Sequence, residues 1–261
     1  PGIPRVTTTE TTTNDSTPVI SGTSEAGSTV TLFVDGTITE VTTTADLTGV
    51  FTIIVPEKID GTYDLTFTAR DGAGNTSSES SVFSLTVDTI APSEPSITTT
   101  TSLTNDSTPA IEGTADSGSI INLFIDGNSS GISSRADVNG DFSINAPIQL
   151  DGTYVFAVSS SDPLGNSSET SNSISITIDA TAPGKPSIIT TASLTNDSTP
   201  TIEGIAEAGS TVELFNGTDS LGTTTADATT GAYSITTAAL DDGDYSLTVT
   251  ATDEADNTSE S

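Results

Sequence analysis

The chain repeats itself with a period of 91 residues, and this period narrows the choice of folds more than any other feature. The run TNDSTP begins at residues 13, 104 and 195, each 91 residues after the one before. The run DGTY, at 60–63 and 151–154, returns with one change as DGDY at 242–245. A period of this length predicts an array of like units, each large enough to be a domain. We place the units at 1–91, 92–182 and 183–261.

Each unit is predicted to be an immunoglobulin-like β-sandwich. In the second unit, apolar and polar residues alternate over short runs bounded by Gly, Asp, Asn or Pro, which is typical of β-strands. The predicted strands A to G cover 96–103, 109–115, 119–126, 130–136 (a weaker, edge-like strand), 140–147, 152–161 and 170–179. Seven short strands without helical periodicity predict an all-β sandwich, and three in tandem predict an extended rod.

Two further features refine this prediction. The DGTY run resembles a tyrosine corner, in which the Tyr hydroxyl bonds to nearby backbone at the start of strand F. The sequence has no Cys and no Trp, so apolar packing alone must hold each sandwich together.

The third unit lacks a counterpart of strand G, because Ser261 aligns with Thr170 of the second unit. Either the sequence is part of a longer chain that continues into this strand, or another chain supplies the strand by adding to the open sheet edge. We favour the first explanation. No signal peptide opens the sequence, which also leads us to expect a longer parent protein.

The composition excludes several classes of function. With 36 acidic and 5 basic residues, the chain has a formal net charge of -31, so nucleic acids and anionic membranes are poor partners and cations are good ones. Without Cys or His it cannot build a typical zinc site or a Ser–His or Cys–His nucleophile pair. No apolar run approaches the roughly 20 residues of a membrane helix. We therefore expect a protein that is not an enzyme, with no membrane insertion in this segment.

Two stiff linkers join the predicted units. The run VDTIAPSEPSI at 87–97 returns as IDATAPGKPSI at 178–188, and each copy has two prolines three residues apart. Proline fixes its own φ and restricts the residue before it, so each linker is a stiff spacer. One acid, Asp88 or Asp179, stands where the preceding strand ends, and we predict that these two residues can lock the hinge.

Acids of the following unit are predicted to converge on each linker acid, because the B–C, D–E and F–G loops all lie at the end where a unit meets the one before it. The predicted metal ligands are Asp88, Asp116, Asp137 and Asp162 at the first junction, Asp179, Glu207, Asp227 and Asp253 at the second, and an incomplete set of Glu25, Asp46 and Asp71 at the start of the first unit. Such clusters repel themselves unless a cation joins them. We predict Ca²⁺ rather than Mg²⁺, because its flexible coordination by six to eight oxygens suits carboxylates on loops.

Each of these acids also has a local explanation, because Asp and Asn before Gly form turns for reasons of backbone geometry alone. We assign that turn role to the acids at the opposite pole of each unit, which are Asp15, Asp35, Asp60, Asp106, Asp126 and Asp151. For the junction acids we favour metal ligation, because four separate segments bring them to one place.

Four motifs together resemble bacterial Ig-like (BIg) domains. They are TNDSTP, GTSEAGSTV at 22–30, DGAGN at 71–75 and VDTIAP at 87–92. Such domains occur in giant repetitive (RTX-type) adhesins of Gram-negative bacteria, which are exported by type I secretion. The resemblance covers all three units and implies Ca²⁺ at the junctions, a rod-like stalk and a cell-surface location. The loops at 162–166 and 253–257 depart from the usual motif but keep its first Asp.

Three candidate functions follow. The first is a stalk segment of an adhesin involved in cell adhesion or biofilm formation, whose partners are the adjacent repeats and, through other domains, a ligand on a host cell, a surface or a biofilm. The second is a subunit of a self-assembling extracellular filament that accepts a donated strand. The third is a non-catalytic module that binds a ligand such as a glycan.

One aromatic row bears on the third candidate. Phe33, Phe124 and Phe215 fall on the opposite phase of strand C from the core residues beside them. Exposed rings in a row could bind glycans, but we favour a β-bulge that turns each ring inward.

Overall fold

The computed structural model describes residues 1–191 and 193–261, and in these ranges the protein is built from short β-strands. The first unit contains β1 (Arg5–Val6), β2 (Thr12–Thr13), β3 (Val19–Thr23), β4 (Thr29–Val34), β5 (Thr37–Thr44), β6 (Val50–Ile54), β7 (Gly61–Arg70) and β8 (Phe83–Val87). The second contains β9 (Ser96–Ile97), β10 (Leu103–Thr104), β11 (Ala110–Thr114), β12 (Ile120–Ile125), β13 (Asn128–Arg135), β14 (Asp141–Asn145), β15 (Gly152–Ser161), β16 (Ser167–Thr170) and β17 (Ile174–Ile178). The third contains β18 (Ser187–Ile188), β19 (Thr201–Ile205), β20 (Thr211–Asn216), β21 (Asp219–Thr225), β22 (Ala232–Thr236) and β23 (Leu247–Thr252).

Each unit is a sandwich of two sheets, as the alternation predicts. In the second unit β14, β11 and β9 form one sheet, and β10, β17, β15, β12 and β13 form the other, with β16 paired to β15. The first unit repeats this arrangement with the order β1-β3-β6 and β2-β8-β7-β4-β5. The prediction of three tandem Ig-like sandwiches is therefore confirmed.

The core of each sandwich lies between the inward faces of its two sheets. In the second unit Ile111, Ile121, Leu123, Phe156 and Ile176 are all fully buried, and each comes from an alternate position of its strand. Burying such a side chain contributes about 1.5–3 kcal/mol to the stability of the fold. The apolar residues therefore determine which face of each strand packs against the core. Strand register follows from the same pattern.

Strand A does not form the single strand predicted at 96–103. Its first part, β9, pairs antiparallel with β11 in one sheet, and its second part, β10, pairs parallel with β17 in the other. The Thr-rich stretch between them crosses from sheet to sheet, which an unbroken strand cannot do. Strand G is also shorter than predicted, because β17 starts at Ile174 and the separate strand β16 precedes it.

The aromatic prediction for strand C is wrong. Pairing of β4 with β7 is regular through Leu32, Phe33 and Val34, and the register shift lies between β4 and its other neighbour, β5. The extra residues therefore belong to β5, and they do not rotate the Phe33 ring. Phe33 stays half-buried on the face opposite the core, and Phe124 and Phe215 are half-buried too.

The tyrosine corner is present in all three units. The hydroxyls of Tyr63, Tyr154 and Tyr245 donate to the carbonyl oxygens of Ile59, Leu150 and Asp241, at 2.9, 3.2 and 2.9 Å. Each bond spans four residues and fixes the turn that leads into strand F.

No helix in the described ranges is long and apolar enough to cross a membrane.

The third unit has a smaller second sheet, with the order β21-β20-β23 among the described residues. Strand F starts later there, at Leu247, whereas β7 and β15 start at Gly61 and Gly152. The early residues of β7 and β15 pair with strand G, so they are strand residues only where that partner is present.

Candidate functional site at the domain junctions

The linker is first held by the unit that precedes it. At the first junction the Asp60 carboxylate accepts hydrogen bonds from the backbone N–H and the hydroxyl of Thr89, at 2.9 and 2.8 Å. At the second, the Asp151 carboxylate accepts the Ala180 N–H at 2.8 Å and the Thr181 hydroxyl. These bonds lower the pKa of Asp151, with the Thr181 hydroxyl as the largest cause. Sequence analysis gave Asp60 and Asp151 a turn role only, so this linker role is a correction.

The unit that follows holds the linker through the side chain of an asparagine. The Asn166 amide donates to the main-chain oxygen of Asp88 at 2.8 Å and to the carboxylate of Asp162 at 2.7 Å. The Asn257 amide makes the same pair of bonds, to the Asp179 main-chain oxygen at 2.7 Å and to the Asp253 carboxylate at 2.9 Å. One amide thus ties the F–G loop of one unit to the residue that follows the last strand of the unit before it, at both junctions.

The first junction has two further direct bonds. The Ser93 N–H donates to the Asp116 carboxylate at 2.7 Å, and the fully buried Ser160 hydroxyl donates to the Ser93 carbonyl at 2.7 Å. At the second junction the aligned residues are Gly184, Glu207 and Ala251. Because alanine has no hydroxyl, the counterpart of the Ser160 bond cannot form there.

Three of the four predicted acids at the first junction come together. Asp88, Asp116 and Asp162 line one open concavity of about 520 Å³, together with the linker residues 90–92. Arg135 lines it as well, and its Nε donates to the Gly118 carbonyl at 2.9 Å. The aligned residue at the second junction is Thr225, so Arg135 supplies a positive charge that the second junction lacks at this position.

The fourth predicted acid does not line this concavity, because it closes its own turn. Asp137 accepts the N–H groups of Asn139 and Asp141 at 2.7 and 3.0 Å. The Asp141 N–H is the largest cause that lowers the pKa of Asp137. Asp46 and Asp227 close the D–E turns of the other units in the same way, through bonds to Thr48 and Thr230.

The F–G loop acids are positioned by the loop that carries them. Burial raises the pKa of Asp162, but bonds from the Asn166 side chain and from the Asn166 and Leu164 N–H groups outweigh it and lower the pKa overall. The pKa of Asp71 is lowered mainly by the Asn75 side chain. Both carboxylates are therefore charged at neutral pH and already accept several hydrogen bonds.

In the ranges that the structure describes, no group of three or more Asp or Glu side chains is arranged so that it could hold a metal ion. At the start of the first unit, Glu25 and Asp71 lie 3.8 and 3.9 Å from the Pro1 nitrogen. Pro1 aligns with Pro92 and Pro183, so these two acids face the position that a linker proline occupies elsewhere. The Ca²⁺ sites stay a prediction.

A family model for a bacterial Ig-like domain matches residues 6–89, 91–180 and 187–261. The chain belongs to this family. No curated protein matches the chain. Its three Ig-like domains, which we call domains 1, 2 and 3, account for nearly all of its length.

Several solved structures are similar to parts of the chain. The fibronectin(III)-like modules of Clostridium thermocellum CbhA are 19% identical with a TM-score of 0.46, and the match covers 67% of this chain and 94% of that one. The BSP domain of a biofilm associated protein is 23% identical with a TM-score of 0.27, covering 69% of this chain and 30% of that one. The D0-D1 domain of intimin is 13% identical with a TM-score of 0.24, covering 67% and 100%.

Sequence reasoning missed the residue that links the Ig-like domains directly. Asn75, Asn166 and Asn257 close the F–G loop motif in all three repeats, so the signal was present at the same spacing as the acids. Asn75 is exposed, whereas Asn166 and Asn257 are half-buried against a linker. The contact spans 78 residues, and only the fold shows which carbonyl the amide reaches.

Proposed function

We propose that the chain is a stalk segment of a bacterial cell-surface adhesin, in which consecutive Ig-like domains are held at defined junctions and Ca²⁺ stiffens those junctions further. The observation that carries the proposal is the repeated bond from the F–G loop asparagine to the preceding linker, from Asn166 to Asp88 and from Asn257 to Asp179. A stalk must fix the orientation of each domain relative to the domain before it, and a hydrogen bond that recurs at successive junctions serves that purpose.

Membership of the bacterial Ig-like family supports the location that we propose, which is outside the cell on the bacterial surface. A net charge of -31 suits this setting, because mutual repulsion keeps an extended chain soluble and apart from anionic surfaces. We further propose that the parent protein is an RTX-type adhesin exported by type I secretion. Its adhesive ligand is then bound by other domains.

The described side chains are not arranged around an ion, so we propose that binding at the first junction draws together Asp88, Asp116 and Asp162, which line one concavity. At the second junction the aligned Asp179, Glu207 and Asp253 would hold the ion. Asp137 and Asp227 use a carboxylate oxygen in their own turns, so we assign them a contact through water or through the second oxygen. Carboxylate and main-chain oxygens are the ligands that Ca²⁺ prefers.

Calcium dependence would give the stalk a switch at export. Extracellular Ca²⁺ modules bind in the range of about 0.1–1 mM. The second junction, which lacks the Ser93 and Ser160 bonds of the first, would therefore be loose at low Ca²⁺ inside the cell and stiff outside it. An ion bound at a junction also offsets the repulsion among carboxylates contributed by two domains.

The test is to measure the radius of gyration and the melting temperature in Ca²⁺ and in chelator. We expect Ca²⁺ to narrow the spread of the radius of gyration among molecules. We also expect it to raise the melting temperature, because an ion that binds only the folded junction stabilises it. A chain in which Asp88 and Asp179 are both changed to Asn, which keeps side-chain shape, serves as the control and should lose most of the response. An identical result in Ca²⁺ and in chelator would rule out the calcium part of the proposal.

A further inference from the structure

The chain contains two Asn-Gly steps, Asn139-Gly140 in domain 2 and Asn216-Gly217 in domain 3. At such a step the side-chain amide is prone to lose ammonia, because a Gly without a side chain lets its backbone nitrogen approach the amide carbon of the Asn. The two steps share this chemistry but lie in opposite surroundings. The structure therefore distinguishes the step that is protected from the step that is open to reaction.

The step in domain 2 is protected by its turn. The Gly140 N–H donates to the Asp137 carbonyl at 3.1 Å, and the Gly140 carbonyl accepts the Ala115 N–H at 2.8 Å. Gly140 is buried with a φ of 90°, and a Cβ there would collide with the Ala115 carbonyl oxygen. The nitrogen that would attack the Asn139 amide is thus held in place unless the whole D–E turn opens.

The step in domain 3 lies at the exposed tip of a hairpin. Asn216 of β20 pairs with Asp219 of β21, and Gly217 takes the first central position of the two-residue turn with a φ of 63°, as a type II′ turn requires. Gly217 is exposed. Apart from its chain neighbours, no atom of the described residues lies within 4 Å of the place of a Cβ, and none accepts a hydrogen bond from its N–H. The Gly217 nitrogen is therefore accessible after a motion of the tip alone.

The Asn216 amide is also held in a way that favours attack on its carbon. Its Oδ1 accepts the backbone N–H of Ser246 at 3.0 Å. This oxygen gains negative charge when a nitrogen adds to the amide carbon, and a donor already placed on it stabilises that charge.

Domains 1 and 2 have an acid at the equivalent place. The Asp35 carboxylate accepts the Asp64 N–H, and the Asp126 carboxylate accepts the Val155 N–H, both at 2.9 Å. Asn216 makes the same kind of bond with a neutral acceptor. A charged acceptor makes a stronger bond than a neutral one, so a carboxylate at Asn216 would fit the fold and strengthen the contact with Ser246.

We propose that Asn216 is a site of spontaneous deamidation, with water as the co-reactant. The Gly217 nitrogen forms a bond to the Asn216 side-chain carbonyl carbon, the bond from that carbon to Nδ2 breaks, and ammonia leaves with the proton of the Gly217 N–H. Water then opens the resulting succinimide. Cleavage between the side-chain carbon and the Gly217 nitrogen gives aspartate, and cleavage at the main-chain carbonyl gives isoaspartate.

The two products have different consequences for the hairpin. Aspartate restores the carboxylate acceptor of domains 1 and 2, whereas isoaspartate adds a methylene group to the main chain and disrupts a turn of only two residues. Both add one negative charge to domain 3. This inference does not depend on the stalk function, because it concerns one hairpin and not the junctions.

The experiment compares the two Asn-Gly steps within the same whole chain. The protein is incubated at neutral pH, either folded or in concentrated urea, and mass spectrometry follows the peptides that contain Asn139 and Asn216. In urea both steps should be converted at similar rates. In the folded chain Asn216 should be converted at least about tenfold faster than Asn139, because the Gly140 N–H is released only when its turn opens. Incubation in water that carries heavy oxygen should place one label in each new carboxylate, which dates the conversion to the incubation.

Two variants test the role of the acceptor. Asn216→Asp reproduces the aspartate product, so it should slow amide hydrogen exchange at Ser246 by about fivefold, since a hydrogen bond to a charged group contributes more than one to a neutral group. Asn216→Ala removes the acceptor and should make the same exchange faster.

Equal conversion of Asn139 and Asn216 in the folded chain would overturn the proposal, because the fold would then not select the site. Conversion of Asn216 in urea but not in the folded chain would overturn it as well. Exchange at Ser246 that is unchanged or faster in Asn216→Asp would contradict the role assigned to the carboxylate product.

Discussion

The two junctions share one hydrogen bond, from the F–G loop asparagine to the linker carbonyl, which we call the asparagine latch. They differ in the number of further hydrogen bonds that support it. Both have the asparagine bond to the linker carbonyl, from Asn166 at the first and Asn257 at the second. The first adds the bonds of Ser93 to Asp116 and of Ser160 to Ser93. It also places Arg135 beside the acids, where the second junction has Thr225. Repeats that align residue by residue can therefore form hinges of different strength.

The difference shows which part of a junction is general and which is particular. The Asp60 and Asp151 bonds and the asparagine latch recur, so they define how any two of these domains are joined. The Ser160 hydroxyl and the Arg135 guanidinium do not recur at the second junction. We therefore expect the first junction to be held mostly by the protein itself and the second to depend more on a bound cation.

The largest effect is expected from Asn257→Ala. This amide ties domain 3 to the start of the linker at the Asp179 carbonyl, whereas the Tyr233 hydroxyl bonds near the end of the linker, to the Ser187 carbonyl at 3.0 Å, so loss of the amide should free the second junction. Spin labels at Leu150→Cys and Ala228→Cys report this junction without background, because the native chain has no Cys. We expect a broad distance distribution in the variant and a narrower one in the parent.

The matched variants are Asn166→Ala and Asn75→Ala. Asn166→Ala should broaden the distribution between labels at Ile59→Cys and Val138→Cys less, because two other bonds hold the first junction. Asn75→Ala removes the same loop bond to Asp71 at the pole of domain 1 that faces away from both linkers of this chain, so it should leave both junctions unchanged. Equal broadening by Asn166→Ala and Asn257→Ala would contradict the comparison.

The next effect is expected from Asp151→Ala, which removes the anchor of the linker on domain 2. Amide exchange at Ala180 should become faster, because its N–H loses a charged acceptor at 2.8 Å. The counterpart Asp242 aligns with Asp151 but lies at the pole of domain 3 that faces away from the second junction, so Asp242→Ala should leave exchange at Ala180 unchanged. Unaltered amide exchange at Ala180 in Asp151→Ala would show that the Asp151 carboxylate does not anchor the linker.

A smaller effect is expected from exchanging the residues that distinguish the junctions. Ser160→Ala loses a buried hydroxyl and leaves the Ser93 carbonyl without it, which should cost about 1 kcal/mol in the free energy of unfolding of domain 2. Ala251→Ser should narrow the distance distribution at the second junction, because the new hydroxyl can reach the linker carbonyl of Gly184. Chemical denaturation and the Leu150–Ala228 label pair measure these two outcomes, and broadening by Ala251→Ser would contradict the account.

The smallest effect on the junctions is expected from lowering the pH. Hydrogen bonds lower the pKa of Asp162 below its ordinary value of 3.8, so the folded state favours the charged form. The resulting stabilisation is fully present above about pH 3.8 and is lost as the pH falls through the lower folded-state pKa. NMR titration should place both Asp162 and Asp71 below 3.8, and the label pair at the first junction should broaden only in that acidic range. Titration of Asp162 above 3.8 would refute the assigned bonding.

The fold could be predicted almost completely from the sequence, because period and alternation are properties of the whole chain. The 91-residue repeat fixes the number of sandwiches, and alternate apolar residues such as Ile174, Ile176 and Ile178 fix the face of each strand. The break in strand A was missed because both halves have strand-like composition. Only the presence of strand G in the opposite sheet explains why Leu103 and Thr104 leave the first one.

The site could be predicted only in part. Loop order placed Asp88, Asp116 and Asp162 at one junction correctly, since topology alone decides which loops share a pole. It could not show that Asp137 turns back on Asn139, because that depends on local dihedral angles. Asp60 was taken for a turn residue because an Asp-Gly turn explains it locally, and its bond to Thr89 spans 29 residues.

The most direct test of the stalk account is the pair of distance distributions across the two junctions, measured with Ca²⁺ and with chelator. The account predicts a narrow distribution for Ile59–Val138 in both conditions and one for Leu150–Ala228 that is broad in chelator and narrow in Ca²⁺. Broad distributions at both junctions in saturating Ca²⁺ would contradict it, because the domains would then move independently and could not form a stiff stalk.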